Sequence, residues 1–270
     1  MPEQKGSFAF YEAQYARFAS APAAAMRREV YGEDLGQQGW RSLAEQAAIP
    51  GLLRLGPGSL VLDIACGSGG PSLALVERTG CRLLGIDIEP AAIAFAASEA
   101  ARRGLQESAR FEVRDCGRPL PLADGSFDAV LCVDAIAHLE DRAAALAEWG
   151  RLLARGGRLL LTDSAVLTGA ISRQQVDVKG SIGFLQIVAP GVTEQGLAAA
   201  GLTVPRVDDT TASIAEIAAR WHAVRERNAE SLRQQEGADW FAQRQSYLAV
   251  TADLAERRQL SRFLYLAEKP

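Results

Sequence analysis

Between residues 60 and 162, short apolar runs alternate with helical segments, and this alternation restricts the fold more than any other feature of the chain. Leu60-Val61-Leu62-Asp63-Ile64 is an apolar run that stops at a glycine-rich turn, the pattern of a buried strand. Pro71 to Thr79 follows as a helix, with proline in its first turn and Gly80 just beyond its end. Arg82 to Asp87 reads as a second strand, and Pro90 to Arg103 as an alanine-rich helix closed by Gly104. Strands at 109–114 and 127–133, a helix near 142–154 and a strand at 158–162 continue the series. Strands that alternate with helices of this length form a mostly parallel sheet with helices on both faces, a doubly wound α/β fold.

Two flanks lie outside the alternation. Residues 7–50 read as helical and carry Phe8, Phe10, Tyr11, Tyr15 and Phe18, which suggests an N-terminal helical cap over residues 1–50. Residues 212–257 read as a helix pair broken near Gly237. One stripe holds Ile214, Ile217, Trp221 and Val224, and the other Phe241, Tyr247, Thr251 and Leu254. Gln259 to Lys269 then reads as a last strand. The expected organisation is a core of residues 51–211 plus 258–270, capped by a helical lid over 212–257. No low-complexity linker separates these parts, so the caps should pack on the core.

Composition removes several function classes. A net charge of −4 without a Lys/Arg block argues against a nucleic-acid partner. No apolar run approaches the ~18 residues that span a bilayer, so no membrane partner is expected. The first residues lack the pattern of a secretory signal. Cys66, Cys81, Cys116 and Cys132 are too scattered for a zinc site or a disulfide framework. Reduced thiols, no metal and a cytoplasmic location are the expectation.

The chemistry concentrates at strand ends. In Asp63-Ile64-Ala65-Cys66-Gly67-Ser68-Gly69-Gly70 a strand ends in small residues and opens a helix. Such a turn lets backbone approach a ligand, and its N–H groups attract an anion. Asp87 follows Gly67 by 20 residues at the end of the next strand, where a carboxylate can accept both hydroxyls of a ribose. A dinucleotide site uses the same spacing, but its third glycine would fall at Ser72. Asp63, inside the strand end, suits the ammonium group of a sulfonium amino acid; capping the next helix is its plainer use. Asp115, after the third strand, suits the edge of an adenine, or else forms an Asx turn before Gly117.

At these residues the chain resembles the class I S-adenosylmethionine-dependent methyltransferase family, in its small-molecule branch. Val61 to Gly70 is similar to the family's first motif, with Ala65 where many members carry glycine. Gly85-Ile86-Asp87-Ile88 resembles the ribose-binding motif, with Ile88 placed against adenine, and Asp115-Cys116 resembles the adenine-edge motif. Residues 127–134 and 152–159 resemble the fourth-strand motif and the turn before the fifth strand. Tyr31-Gly32-Glu33-Asp34-Leu35 with Gly39-Trp40 looks like the opening segment of the ubiquinone-biosynthesis-like and sugar O-methyltransferase groups. The resemblance implies S-adenosylmethionine as cofactor and a seven-stranded sheet with an antiparallel last strand. The implied cofactor contacts are Asp63, Gly67, Gly69, Asp87, Ile88, Asp115 and Cys116, with Asp134 either near the methionine end or facing solvent.

Methyl transfer from a sulfonium needs alignment first, worth ~7–11 kcal/mol, and a base only where the acceptor must lose a proton. The chain has two histidines. His138 follows the fourth strand on the ligand edge, and Asp163 ends the fifth on the same edge. In the group the segment resembles, a histidine and an aspartate at these places are candidate bases; structural roles are the alternative. His222 reads as a packing residue. Residues 165–192, with Arg173, Gln174, Gln175, Lys179 and Phe184, form an insertion placed to touch the acceptor. Tyr11, Tyr15, Trp40, Trp221 and Trp240 wall a pocket or belong to the core. The expected partner is a small-molecule acceptor, with O-methylation ahead of N- or C-methylation, and with a homodimer left open. An NAD-dependent oxidoreductase would need a second nucleotide-binding half after residue 165, and none is visible. A non-catalytic cofactor-binding protein is the remaining alternative.

Overall fold

The apolar run at 60–64 becomes β1 (Leu60–Ile64), the centre of the sheet in a computed structural model that describes Tyr15 and residues 18–270. Leu62 and Ile64 enter one apolar layer and Val61 the other, which explains why the run shows no polar alternation. Helix α1 (Ala21–Tyr31) and helix α2 (Leu43–Leu52) precede β1. After it come α3 (Gly70–Thr79), β2 (Arg82–Asp87), α4 (Pro90–Arg102) and β3 (Ala109–Val113). The chain then crosses to the other side of β1 with β4 (Phe127–Cys132), α5 (Arg142–Leu152) and β5 (Leu153–Leu167). Helices α6 (Arg173–Lys179) and α7 (Val192–Ala199) lead to β6 (Thr203–Asp209). Helices α8 (Thr211–Arg227), α9 (Ala229–Glu236) and α10 (Ala238–Glu256) precede β7 (Leu260–Glu268).

The seven strands are ordered β3-β2-β1-β4-β5-β7-β6. β1 to β5 are mutually parallel, and β7 runs antiparallel to both β5 and β6. The sheet is therefore the doubly wound, mostly parallel one that the alternation predicts. Because the chain leaves β1 on both sides, connections diverge at the carboxyl ends of β1 and β4 and open a crevice there. Trp149 and Leu146 of α5 fill one face of the sheet, and Leu73 and Val76 of α3 the other. Each such fully buried side chain contributes ~1.5–3 kcal/mol relative to its exposure.

The flanks differ from expectation in detail. Phe8, Phe10 and Tyr11 lie outside the described residues. Residues 21–52 form two helices separated by an irregular segment at 32–42 that lies over the crevice. Between 211 and 256 there are three helices, because the chain also breaks at Asn228. β6 carries no strand signal: it is Thr-Val-Pro-Arg-Val-Asp-Asp, mostly exposed, at the edge of the sheet. Proline is tolerated there because an edge strand can leave a donor unpaired, and the pairing with β7 slips between Thr203 and Arg206. Among the described residues no helix is long and apolar enough to cross a membrane.

Candidate functional site

The crevice is a cavity of about 600 Å³ at the carboxyl ends of β1, β2 and β4. Its floor is the turn after β1. Ala65 has φ +54° and Gly67 φ +57°, left-handed values that favour glycine and account for glycine at the first position in many relatives of this motif. A Cβ on Gly67 would lie 2.6 Å from the Tyr15 hydroxyl, so the small residue makes room for Tyr15 at the cavity floor. The Gly67 N–H donates to Asp87 at 2.8 Å, and the Glu89 N–H donates to the other oxygen at 2.9 Å. These bonds fix the Asp87 carboxylate at the cavity wall while leaving each oxygen a free lone pair. Burial raises the Asp87 pKa, and both backbone donors oppose that rise.

Asp63 is buried, lines the same cavity and accepts a short bond from the Ser72 hydroxyl. Burial pushes its pKa up to about 6, against the pull of Ser72 and the Arg41 charge. A carboxylate held at that cost has a use for a cation. Ile88 is 42% exposed and lines the cavity, as do Asp115 and Cys116. Burial pushes the Cys116 thiol up to about 12, so it is neutral and apolar in character. Asp115 makes the Asx turn, accepting from the Gly117 N–H at 2.9 Å and from Arg118 at 3.0 Å. Its carboxylate still has lone pairs for another donor.

Three expected site residues take other positions. Gly69 does not line the cavity: it is the N-cap of α3 with φ +70°, and a Cβ there would lie 2.6 Å from Ala96 and 2.8 Å from Phe111. It permits helix packing, not ligand approach. Asp134 borders the cavity, but its carboxylate faces protein. It accepts from Arg262 at 2.7 Å, the Trp40 N–H at 2.8 Å and Thr162 at 2.9 Å. Burial raises its pKa, but Arg262 and these donors together hold it below the usual carboxylate value. Asp163 is fully buried and away from the cavity, bonded to Arg142 at 2.7 Å and Thr193 at 3.0 Å. A carboxylate committed to an internal ion pair cannot assist His138, and that expectation is withdrawn.

His138 does line the cavity, at the end of a single 3₁₀ turn, Ile136–His138. Its Nδ1 lies 2.8 Å from the Phe184 carbonyl oxygen. A carbonyl only accepts, so Nδ1 carries the proton and Nε2 keeps a lone pair in the neutral ring. Burial lowers the His138 pKa, and the Lys179 charge adds to that, so the ring is neutral at neutral pH.

Among the other wall residues Arg41, Ile182 and Arg244 carry no signal in the sequence, whereas Trp40, Trp221, Phe184 and Tyr247 do. The segment at 36–41 contributes Trp40 and Arg41, the lid helices contribute Trp221, Arg244 and Tyr247, and the insertion contributes Ile182 and Phe184. Trp40 and Trp221 were weighed between pocket and core and do both, since each also packs in an apolar cluster. Tyr15 lines the cavity, and Trp240 does not. Burial depresses the Arg41 pKa, and Asp63 is the first of the charges that oppose it. Arg262, fully buried in β7, bonds both Asp134 and Glu45 and so ties the 36–41 segment to the sheet. An arginine in a strand pattern gives no hint of this until the strands are paired. His222 is half-buried on α8 and does not line the cavity.

Residues 62–161 match the family model described as "Methyltransferase domain". The chain is 37% identical over 112 residues to phosphoethanolamine N-methyltransferase 3 of Arabidopsis thaliana, a match that covers 42% of this chain and 22% of that one. It is 30% identical over 144 residues to 27-O-demethylrifamycin SV methyltransferase of Amycolatopsis mediterranei, covering 50% and 53% of the two chains. The matched region thus spans between about a fifth and a half of these relatives. In fold the chain is similar to the cyclopropane synthase MmaA2 of Mycobacterium tuberculosis, with a TM-score of 0.81, 17% identity and coverage of 97% and 98%.

Proposed function

We propose that this chain, whose residues 62–161 match the model of a methyltransferase domain, transfers a methyl group from S-adenosylmethionine to the oxygen of a small molecule. The observation that carries the reading is the convergence of Gly67, Asp87 and Asp63 on one cavity. The residues fit the cofactor. Asp87 has oxygens to receive two ribose hydroxyls. Ile88 is an uncovered apolar side chain for a planar base, and Asp115 lies at the same edge. Asp63 is a buried carboxylate for the ammonium group, and Gly67 brings bare backbone to the cavity floor. When bound, S-adenosylmethionine supplies a methyl group already activated on a sulfonium.

The chain's own residues then hold, align and dry the reactants. Trp40, Trp221 and Tyr247 cover the cavity from the 36–41 segment and the lid helices, and orientation there contributes ~7–11 kcal/mol to rate. His138 Nε2 is the lone pair available to take a hydroxyl proton, which supports oxygen over nitrogen, since an amine can lose its proton to water afterwards. The named relatives include both an N- and an O-demethylated-substrate methyltransferase. A free metabolite suits the pI of about 5.4 better than a nucleic acid, and the free cysteines suit a reducing compartment such as the cytoplasm.

Incubation with a metabolite mixture and methyl-labelled S-adenosylmethionine should yield a product heavier by one labelled methyl group. His138→Ala should slow its formation by ~10²–10⁴ at unchanged cofactor affinity and remove the acidic limb of the pH–rate profile. A fall below about fivefold with that limb intact assigns His138 to structure.

A further inference from the structure

The part of the cavity under the lid helices carries cations of its own, in a wall that also includes Glu140 and Asp141 next to His138. Asp63, Asp87 and Asp115 line the cofactor end, while Arg244 and Tyr247 line the other, and Lys179 lies directly behind Tyr247. Lys179 ends α6 and is 3% exposed. Its Nζ donates to Thr251 Oγ1 at 2.9 Å and to Tyr247 Oη at 3.2 Å, and lies 4.3 Å from the Tyr247 ring centre. Among the described residues no carboxylate pairs with it. The charged groups near this corner are His138 on the 3₁₀ turn, Arg244 on α10 and Asp134, and the Asp134 carboxylate is already bonded to Arg262.

Among the described residues this ammonium has two hydroxyls and the ring faces of Tyr247 and Trp40 as partners, and burying it without a carboxylate is expensive unless something anionic comes to it. Its cost is visible: burial pushes the Lys179 pKa down to about 7. The bond to Tyr247 also has a direction. The ammonium donates to the phenol oxygen, and the Thr251 hydroxyl bond that lowers the Tyr247 pKa is also donated to it, so the single Tyr247 proton points elsewhere, as a donor polarised by the charge behind it. The wall also carries Trp40, Trp221 and Phe184, aromatic side chains that suit a flat ring.

On the reading of the site as a methyltransferase, we propose that Tyr247, polarised by Lys179, donates a hydrogen bond to the developing oxyanion of the acceptor, and that the acceptor is therefore a phenol or enol. The acceptor's O–H bond breaks as its proton passes to His138 Nε2, and negative charge gathers on oxygen between His138 and Tyr247. That oxygen's electron pair forms the bond to the methyl carbon, and the pair of the breaking carbon–sulfur bond stays on sulfur. Lys179 acts only through Tyr247 and is a positioning residue. A cationic amine acceptor would meet the Lys179 charge behind the Tyr247 hydroxyl as a like charge.

4-Nitrophenol, whose ionised form absorbs visibly, probes this directly in the full chain saturated with S-adenosylhomocysteine. The expected result is binding with the anion favoured over the neutral phenol by about tenfold or more, read as a lowered ionisation midpoint. Tyr247→Phe and Lys179→Met should each abolish that preference, and Lys179→Arg should restore most of it. A purely structural clamp between α6 and α10 would change thermal stability and leave the midpoint where it was. No binding, or an unshifted midpoint in the native chain, overturns the proposal; so does the same shift in Tyr247→Phe, which also serves if Lys179→Met does not fold. Calorimetry with S-adenosylhomocysteine on the same sample separates the two levels. If that ligand binds and the anion is not favoured, only the acceptor class fails. If it does not bind, the methyltransferase reading fails.

Discussion

At the scale of residues, the account rests on two carboxylates with different environments. Asp87 is held by two backbone donors at 2.8 and 2.9 Å and faces the cavity. Asp87→Ala should weaken S-adenosylhomocysteine by ~1.5–3 kcal/mol, roughly tenfold to a hundredfold, because two hydroxyls lose a charged acceptor. Titration calorimetry reads this directly, and an unchanged Kd removes Asp87 from the site. Asp63 carries a pH signature. Its pKa stands near 6 in the folded chain against an ordinary ~3.9, so the free protein binds the extra proton and is stabilised as pH falls through that window. The ligand's ammonium needs the ionised form. Affinity for S-adenosylhomocysteine should therefore be level above pH 7 and fall up to about tenfold per unit below pH ~6. Asp63→Asn should flatten the profile at the lower affinity. A flat profile in the native chain would place the ammonium elsewhere.

At the scale of elements, the turn after β1 and the segment at 32–42 build the site, and they were not equally legible. The turn could be read because its small residues, its position after an apolar run and the spacing to Asp87 are local in the sequence. Gly69 shows the limit: the residue is right for the motif, but its reason is the contact of α3 with Ala96 and Phe111. Gly69→Ala should destabilise the fold by ~1–3 kcal/mol through left-handed φ and overpacking, measured by denaturant unfolding, with cofactor affinity in the remaining folded protein little changed. The 32–42 segment could not be read, since its anchors are long-range. Asp134, Arg262 and Glu45 come from β4's end, β7 and α2, more than ninety residues apart in the chain for each Asp134 contact with Trp40 or Arg262. Arg262→Leu breaks a buried pair and leaves Asp134 without its cation, a loss of ~3–5 kcal/mol that should unfold or severely destabilise the chain. A change of less than about 1 kcal/mol in unfolding free energy would show that the pair holds nothing. The same distance effect hid β6, a polar edge strand defined only by β7, and it misplaced Asp163, whose partner Arg142 sits on another element.

At the scale of the whole molecule, the doubly wound sheet puts every cofactor contact on one edge, and the helices that close the chain supply the opposite wall. The family match falls on the strands and turns of this core, while 36–41, the insertion after β5 and the lid helices lie outside it. The most direct test of the central claim is titration calorimetry of the full chain against S-adenosylhomocysteine, S-adenosylmethionine and NAD. The account predicts saturable binding of both sulfur ligands at one site per chain, weakened together in Asp87→Ala by roughly tenfold to a hundredfold, and no heat with NAD. Saturable NAD binding with none for either sulfur ligand would contradict it.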